Sequence, residues 1–348
     1  MLKYILKRIG YMLLVLLILS IIMFVIYNLV PSDRAYTEAK AEIARYKNMP
    51  KEERDTKFEE IYHDYQVLYG TDVSNKIVRY LRWVGLAPYS DGHLNGLLQG
   101  NFGYSYQYNK EVIEIIKAPM RNTIFINIFA TIAALGITIP LGIRCAVKRG
   151  KLGDRSMQVV TIIGYSLPTF LIAIVFIWFF CSLFHLLPPS GMTTPGRPYA
   201  DNYWRDLLDR AYYLILPLLV MTFCSLGGMT RYVRASMIEA LSMDCIKTAR
   251  AKGLREKVVI YSHAWRNALI PVVTLVVGWF LGIFSGSIII EQIFAINGMG
   301  LLLYSSLLTQ DYDVVMLMQM FYVLMSLLGN LIIDIVYGLV DPRVRVNK

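Results

Sequence analysis

Apolar residues run along this chain in long unbroken stretches, with the polar residues gathered in blocks between them. The first stretch covers residues 11–30 and follows Lys3, Lys7 and Arg8. Five more cover residues 123–143, 159–183, 212–230, 269–290 and 314–340. About 20 consecutive apolar residues make a helix long enough to cross a bilayer. The pattern therefore predicts an all-α polytopic membrane protein with six transmembrane helices. The first stretch is longer than the core of a cleavable signal peptide. It leaves through Asn28-Leu29-Val30-Pro31 with no small-residue cleavage site, so it reads as a retained span.

The polar blocks predict shorter helices. Residues 37–46 and 51–69 read as charged helices parted at Pro50, with a third over residues 75–84. Together they form a small helical insertion between the first and second spans. The chain divides into residues 1–30 (terminus and first span), 31–121 (the insertion) and 122–348 (five further spans with a basic loop at 244–271).

Charge orients these elements. Arg144, Lys148, Arg149, Lys151 and Arg155 follow the second span, and Arg231 and Arg234 open the basic loop after the fourth. Residues 291–313 contain neither Lys nor Arg, and residues 187–210 set Arg197, Arg205 and Arg210 against Asp201, Asp206 and Asp209. Cations favour the cytoplasmic side of a membrane. Both termini and the 244–271 loop are therefore expected inside, and the insertion outside, in a multi-pass protein of the cell membrane. With 56% hydrophobic residues, a formal charge of +10 and a mean hydropathy of +0.47, the basic excess needs no nucleic acid to explain it.

Most candidate chemistry fails on spacing. Gly164-Tyr165-Ser166-Leu167-Pro168 approaches a nucleophile elbow but lacks the final Gly and sits in an apolar span. Ser166 is better placed to satisfy backbone freed by Pro168. His63, His93, His185 and His263 show no metal-binding spacing, and Cys145, Cys181, Cys224 and Cys245 form no Cys-x-x-Cys pair. No phosphate-cradling Gly-rich run ending in Lys-Ser/Thr occurs, so nucleotide used to drive this chain must bind to another polypeptide. Pro140, Pro168, Pro217 and Pro271 fall in or at the edge of four consecutive spans, consistent with bent helices around a path. Asp334 is a carboxylate inside the sixth span, where a charge is costly and usually paired. Arg231 or Arg234 is the expected partner, and a substrate or proton role is the alternative.

The basic loop is the most informative stretch. It reads D-C-I-K-T-A-R-A-K-G-L-R-E-K-V-V-I-Y-S-H-A-W-R-N-A-L-I-P from Asp244 to Pro271. Asp244 can cap a helix of about two turns, Arg250 and Lys252 suit its carboxyl end, and Gly253 stops it. Ile246 and Ala249 share one face. A helix so short needs a partner surface. A second amphipathic helix leads from Glu256 through Arg266 and Asn267 into the fifth span.

T-A-R-A-K-G-L followed by H-A-W-R-N-A-L-I-P resembles the cytoplasmic coupling loop of ABC importer permeases, in the branch that moves oligopeptides, dipeptides and nickel. Lys247-Thr248-Ala249 stands where the wider superfamily has Glu-Ala-Ala, and Gly253 is the family's Gly. L-L-Q-G-N-F-G-Y-S from Leu97, E-Q-I-F-A-I-N-G-M-G-L from Glu291 (with Asn297 where Pro is usual) and D-P-R-V-R from Asp341 resemble the same family. Residues 35–66 have no clear counterpart in it.

The resemblance implies a permease subunit without catalytic residues or bound cofactor of its own. It implies ATP and Mg on two partner ATPase subunits, a second homologous permease subunit and an extracytoplasmic substrate-binding protein. It places ATPase coupling at Asp244, Thr248, Ala249, Arg250, Ala251, Lys252, Gly253 and Leu254. An ion-coupled transporter or channel using Asp334 is the competing class, although the chain shows no clear internal repeat. Tyr36, Tyr46, Tyr62, Tyr65 and Tyr69 in the insertion either dock the binding protein or pack the insertion against itself.

Overall fold

The computed structural model describes residues 2–29, 34–46, 49–90, 92–105, 107–196 and 202–340. Val30-Pro31, Arg197, Asp201 and the D-P-R-V-R ending lie outside the described residues. The described residues are mainly helical, and the chain folds as two compact units. The first comprises residues 1–115 with 306–321, and the second residues 116–305 with 322–348.

Four described helices are individually long and apolar enough to cross a membrane: Ile5–Leu29, Val112–Val147, Tyr203–Ser242 and Tyr312–Ile335. Two bent pairs raise the number to six if each pair is one span. One pair joins Leu152–Ser166 to Thr169–Leu183 through a bend of 108°. The third apolar stretch is therefore broken and not merely kinked. Pro168 contributes no amide hydrogen, and Leu167 before it is forced into an extended backbone with ψ 138. The second pair joins residues 256–269 to 271–282.

In the first unit, α1 (Leu2–Leu29) is followed by α2 (Arg34–Ile43), α3 (Lys51–Leu68) and α4 (Lys76–Val84). A two-residue hairpin of β1 (Tyr104–Ser105) with β2 (Lys110–Glu111) leads into α5 (Val112–Val147). Asn75 caps α4 by accepting from the Ile77 amide at 2.9 Å. The aromatic side of α4 packs on α1: Phe24 meets Tyr80 and Trp83 with ring centroids 5.4 and 5.9 Å apart, and Ser20 bonds the Tyr80 hydroxyl at 2.7 Å.

The insertion tyrosines settle largely against one another. Tyr36 packs edge-on against Phe58 and Tyr62, Phe58 stacks on Tyr62, and Tyr65 stacks on Tyr69. The Tyr65 hydroxyl donates to Glu42 at 2.8 Å, and that bond pushes its pKa up to about 12. Tyr36, Tyr62 and Tyr65 thus join α2 to α3, while Tyr36 and Tyr46 keep exposed faces.

Behind this hairpin, Arg82 makes a nearly buried ion pair with Asp72 at 2.9 Å and donates to the Pro88 carbonyl. Burial alone raises a carboxyl pKa. Here the bonds from Ser90 and Arg82 outweigh it and hold Asp72 below its ordinary 3.8.

The second unit is built on α8 (Tyr203–Ser242), which packs against α6 (Leu152–Ser166), α7 (Thr169–Ile177) and α11 (Trp265–Gly282). Glycines let the backbones approach. A Cβ on Gly227 of α8 would lie 2.6 Å from the Thr161 carbonyl of α6, and one on Gly142 of α5 would lie 2.7 Å from Val233 of α8. Between α11 and α14 (Tyr312–Val340) lie two short helices, α12 (Ile288–Ile293) and α13 (Met299–Leu308). Glu291 of α12 is buried. It accepts from Thr123 of α5 at 3.0 Å and from the Leu301 amide in the first turn of α13 at 2.7 Å.

A depressed carboxyl pKa stabilises the fold above the ordinary carboxylate range and loses that effect as pH falls through it. Hydrogen exchange across α4, corrected for intrinsic rates, should therefore accelerate below about pH 4. Asp72→Ala, which strands a nearly buried guanidinium, should bring the acceleration to neutral pH with a cost of about 3 kcal/mol. Unchanged exchange in the variant would show that the pair does not hold α4.

Candidate coupling site

Helix α8 stops at Ser242 and α9 (Asp244–Ala251) starts two residues later, with only Met243 between them in extended backbone (φ −65, ψ 148). The cap position thus falls on Met243. Asp244, expected as the cap, stands in the first turn, where its charge still complements the helix dipole, and its carboxylate takes a bond from Lys247 at 2.8 Å. The helix ends as its sequence predicts. Gly253 adopts φ 73, and the Lys252 and Gly253 amides return to the carbonyls of Thr248 and Arg250.

Only two side chains of α9 are buried, Ile246 at 0% and Ala249 at 5% exposure. They enter an apolar core with Met237 and Ala240 of α8, Ile143 and Ala146 of α5, and Val259, Ile260 and Ala264. The last three lie in a wide π-type turn, Val259–Ala264, between α10 (Glu256–Val258) and α11. Such turns commonly mark functional positions in helices.

Asp244, Cys245, Lys247, Thr248 and every residue from Arg250 to Val258 are exposed. Arg250 is forked onto Glu256, at 2.7 Å for the shorter bond, and ties the end of α9 to the start of α10. Lys252, Arg255 and Lys257 add further charge, and Leu254 adds an apolar edge at 41% exposure. All eight residues expected to couple an ATPase lie on this one short segment, and all but Ala249 are exposed.

For the expected ion pair, the structure shows a strong bond of Arg234 to a residue that the sequence did not single out. Both Nε and Nη2 of Arg234 donate to Asp154, at 2.7 and 2.8 Å, and the Gly150 amide adds a third bond at 2.9 Å. The guanidinium fork of Arg234 is thus matched to Asp154 of α6. The Asp154 side chain is fully buried. It is a lone acid among Arg144, Lys148, Arg149, Lys151 and Arg155, and that isolation is the one sequence signal that could have found it. Arg231 is exposed, and Asp334 is half-buried on α14. Gly164–Pro168 is a helix–break–helix, not the strand–turn–helix that a nucleophile elbow needs, and Ser166 is exposed.

Residues 138–346 match the model of the binding-protein-dependent transport system inner membrane component family. The chain belongs to that family. The oligopeptide transport system permease protein AppB of Bacillus subtilis is 35% identical over 271 residues, covering 77% of this chain and 80% of that protein. A peptide permease protein of Brucella ovis is 33% identical over 348 residues, covering 99% of this chain and all of its own. The dipeptide transport system permease protein DppB of Escherichia coli K12 is 34% identical over 269 residues, covering 73% of this chain and 79% of its own. The Brucella alignment spans the insertion at residues 35–66 as well. Membership of this family disfavours the ion-coupled alternative.

Ile246 is the main apolar anchor of α9. Ile246→Ala should cost about 2–4 kcal/mol and release α9 from its core. The expected result is faster hydrogen exchange over residues 244–253, with exchange over α4 unchanged. Wild-type protection of α9 in this variant would show that Ile246 does not seat it.

Proposed function

We propose that this chain is a transmembrane permease subunit of an ATP-driven peptide importer, with α9 as the element gripped by a partner ATPase. Its termini and the 244–271 loop face the cytoplasm. It pairs with a second, homologous permease subunit. Two ATPase subunits bind ATP and Mg, and an extracytoplasmic binding protein delivers the substrate. The reading of peptide as substrate rests on the names of its relatives.

The observation that carries the proposal is the asymmetry of α9. A two-turn helix cannot hold itself together in water. This one is fixed by two buried side chains and leaves nearly all its remaining surface, mostly polar and basic, facing outward. That is the form of a knob built to sit in another protein's groove. Lys247, Arg250, Lys252, Arg255 and Lys257 against Asp244 and Glu256 call for an acidic groove, and Leu254 calls for an apolar spot within it. Asp244, Thr248, Ala249, Arg250, Ala251, Lys252, Gly253 and Leu254 carry the coupling. When nucleotide draws the ATPase pair together, the knob moves and the helices attached to it re-angle.

The test has two parts. Co-purification with the associated proteins should bring down two ATPase chains and a binding protein carrying a peptide; a bound metal ion in its place would overturn the peptide reading. Gly253→Val imposes a positive φ on a β-branched residue, at a cost of about 1–2 kcal/mol, and misplaces the end of α9. Peptide uptake should fall while membrane insertion survives. Normal stimulation of ATP hydrolysis by the loaded binding protein in that variant would count against the coupling role.

A further inference from the structure

The sequence offers one inner loop for contact with an ATPase, and the structure ties the start of α6 to the helix that leads into that loop. Asp154 lies in the first turn of α6, just past the turn after α5, and Arg234 stands on α8 ten residues before α9. Their bidentate bond, with the Gly150 amide closing the carboxylate from the other side, is the polar end of a longer seam. Two turns further along both helices, Gly227 of α8 meets the backbone of Thr161 and Tyr165 closely enough that no Cβ would fit. One turn beyond, Gly164 of α6 lies against the Phe223 carbonyl. The helices are zipped antiparallel from the pair almost to Ser166, where the chain turns by 108° into α7.

Along the same part of α8, Met237 and Ala240 share a core with Ile246 and Ala249 of α9. Displacement of α9 thus has a packed route into α8 and, through the seam, to the break at residues 166–168.

We propose that Asp154 and Arg234 form a positioning clamp that makes α6 move with α8, so that a stroke delivered to α9 reaches the break between α6 and α7. The proposal rests on the reading of α9 as the coupling helix. The glycine contacts bring the two helices close along the seam. A forked charge pair whose acid is fully buried fixes the register, because any slip separates the charges at the end of the seam.

Removing one partner leaves a buried charge, which would confuse stability with mechanism. The informative variant is therefore Asp154→Asn with Arg234→Gln, which keeps polar side chains in place and leaves no charge stranded. It is compared with Arg234→Lys, which keeps a charged bond to Asp154. In the complex reconstituted in vesicles with its ATPases and binding protein, short labelled peptides transported per ATP hydrolysed are measured. Thermal stability and ATPase co-purification are followed alongside.

The double variant should assemble and hydrolyse ATP while its peptide-to-ATP ratio falls several-fold, and Arg234→Lys should keep most of the ratio. A wild-type ratio in the double variant overturns the clamp. So does an equal loss in both variants, or failure of the double variant to hold its ATPases, since the pair would then support assembly and not transmission. Failure of the wild-type chain itself to co-purify with ATPases or to move peptide overturns the function proposed above instead.

Discussion

The second unit depends on α8 being buried along two separate stretches. Leu214, Leu216 and Val220 supply one apolar core, shared with α7 and α12, while Met229, Val233, Met237 and Ala240 supply the other, shared with α5, α9 and α11. A helix of 40 residues is about 60 Å long, twice the hydrocarbon thickness of a bilayer. It therefore joins events at one face of the membrane to packing at the other. In lipid, burial of apolar area gains little, so close approach and van der Waals contact must hold helices together. Glycine at residues 142, 164 and 227 serves that need around α8, and the α6–α8 contact is continuous as a result.

Much of this architecture could be read along the chain. The apolar stretches mark the long helices because a lone helix must satisfy its own backbone in hydrocarbon. The spacing of Ile246 and Ala249, with Gly253 after them, fixes the short helix of the basic loop and its buried face. The parts that could not be read are those joining residues distant in sequence. Asp154 and Arg234 are separated by a whole broken span, and a single acid in a basic loop looks like a solvated charge. Glu291 sits in a segment with no cations and looks like an exposed loop acid, yet it is buried because Thr123 and the Leu301 amide complete its shell.

Local sequence also left open how two features would resolve. Pro168 in a span is compatible with a gentle kink or a full break. The break follows from the extended residue before it, and α8 holds both halves, α6 through its glycines and α7 through an apolar core. The insertion tyrosines had two uses in prospect. Where α2 meets α3, Tyr36 and Tyr62 are engaged in ring contacts and Tyr65 in its bond to Glu42, and the surface left for a partner is mainly charged.

The loops around α12 and α13 carry a consequence of their own. Where α11 ends, the carbonyls of Ile283 and Ser285 have no helical amide to receive, and the side-chain amide of Asn127 donates to both at 2.9 Å. Asn122 does the same for the Asn297 carbonyl, and Thr123 receives the Met299 amide. Three side chains within two turns of α5 thus stand in for solvent along the irregular backbone. A hairpin solvated by its own protein can lie below the lipid headgroups without drawing a file of water in with it. Irregular backbone bonded in this way carries its own hydrogen-bond partners, which is the condition for non-helical chain to sit at membrane depth.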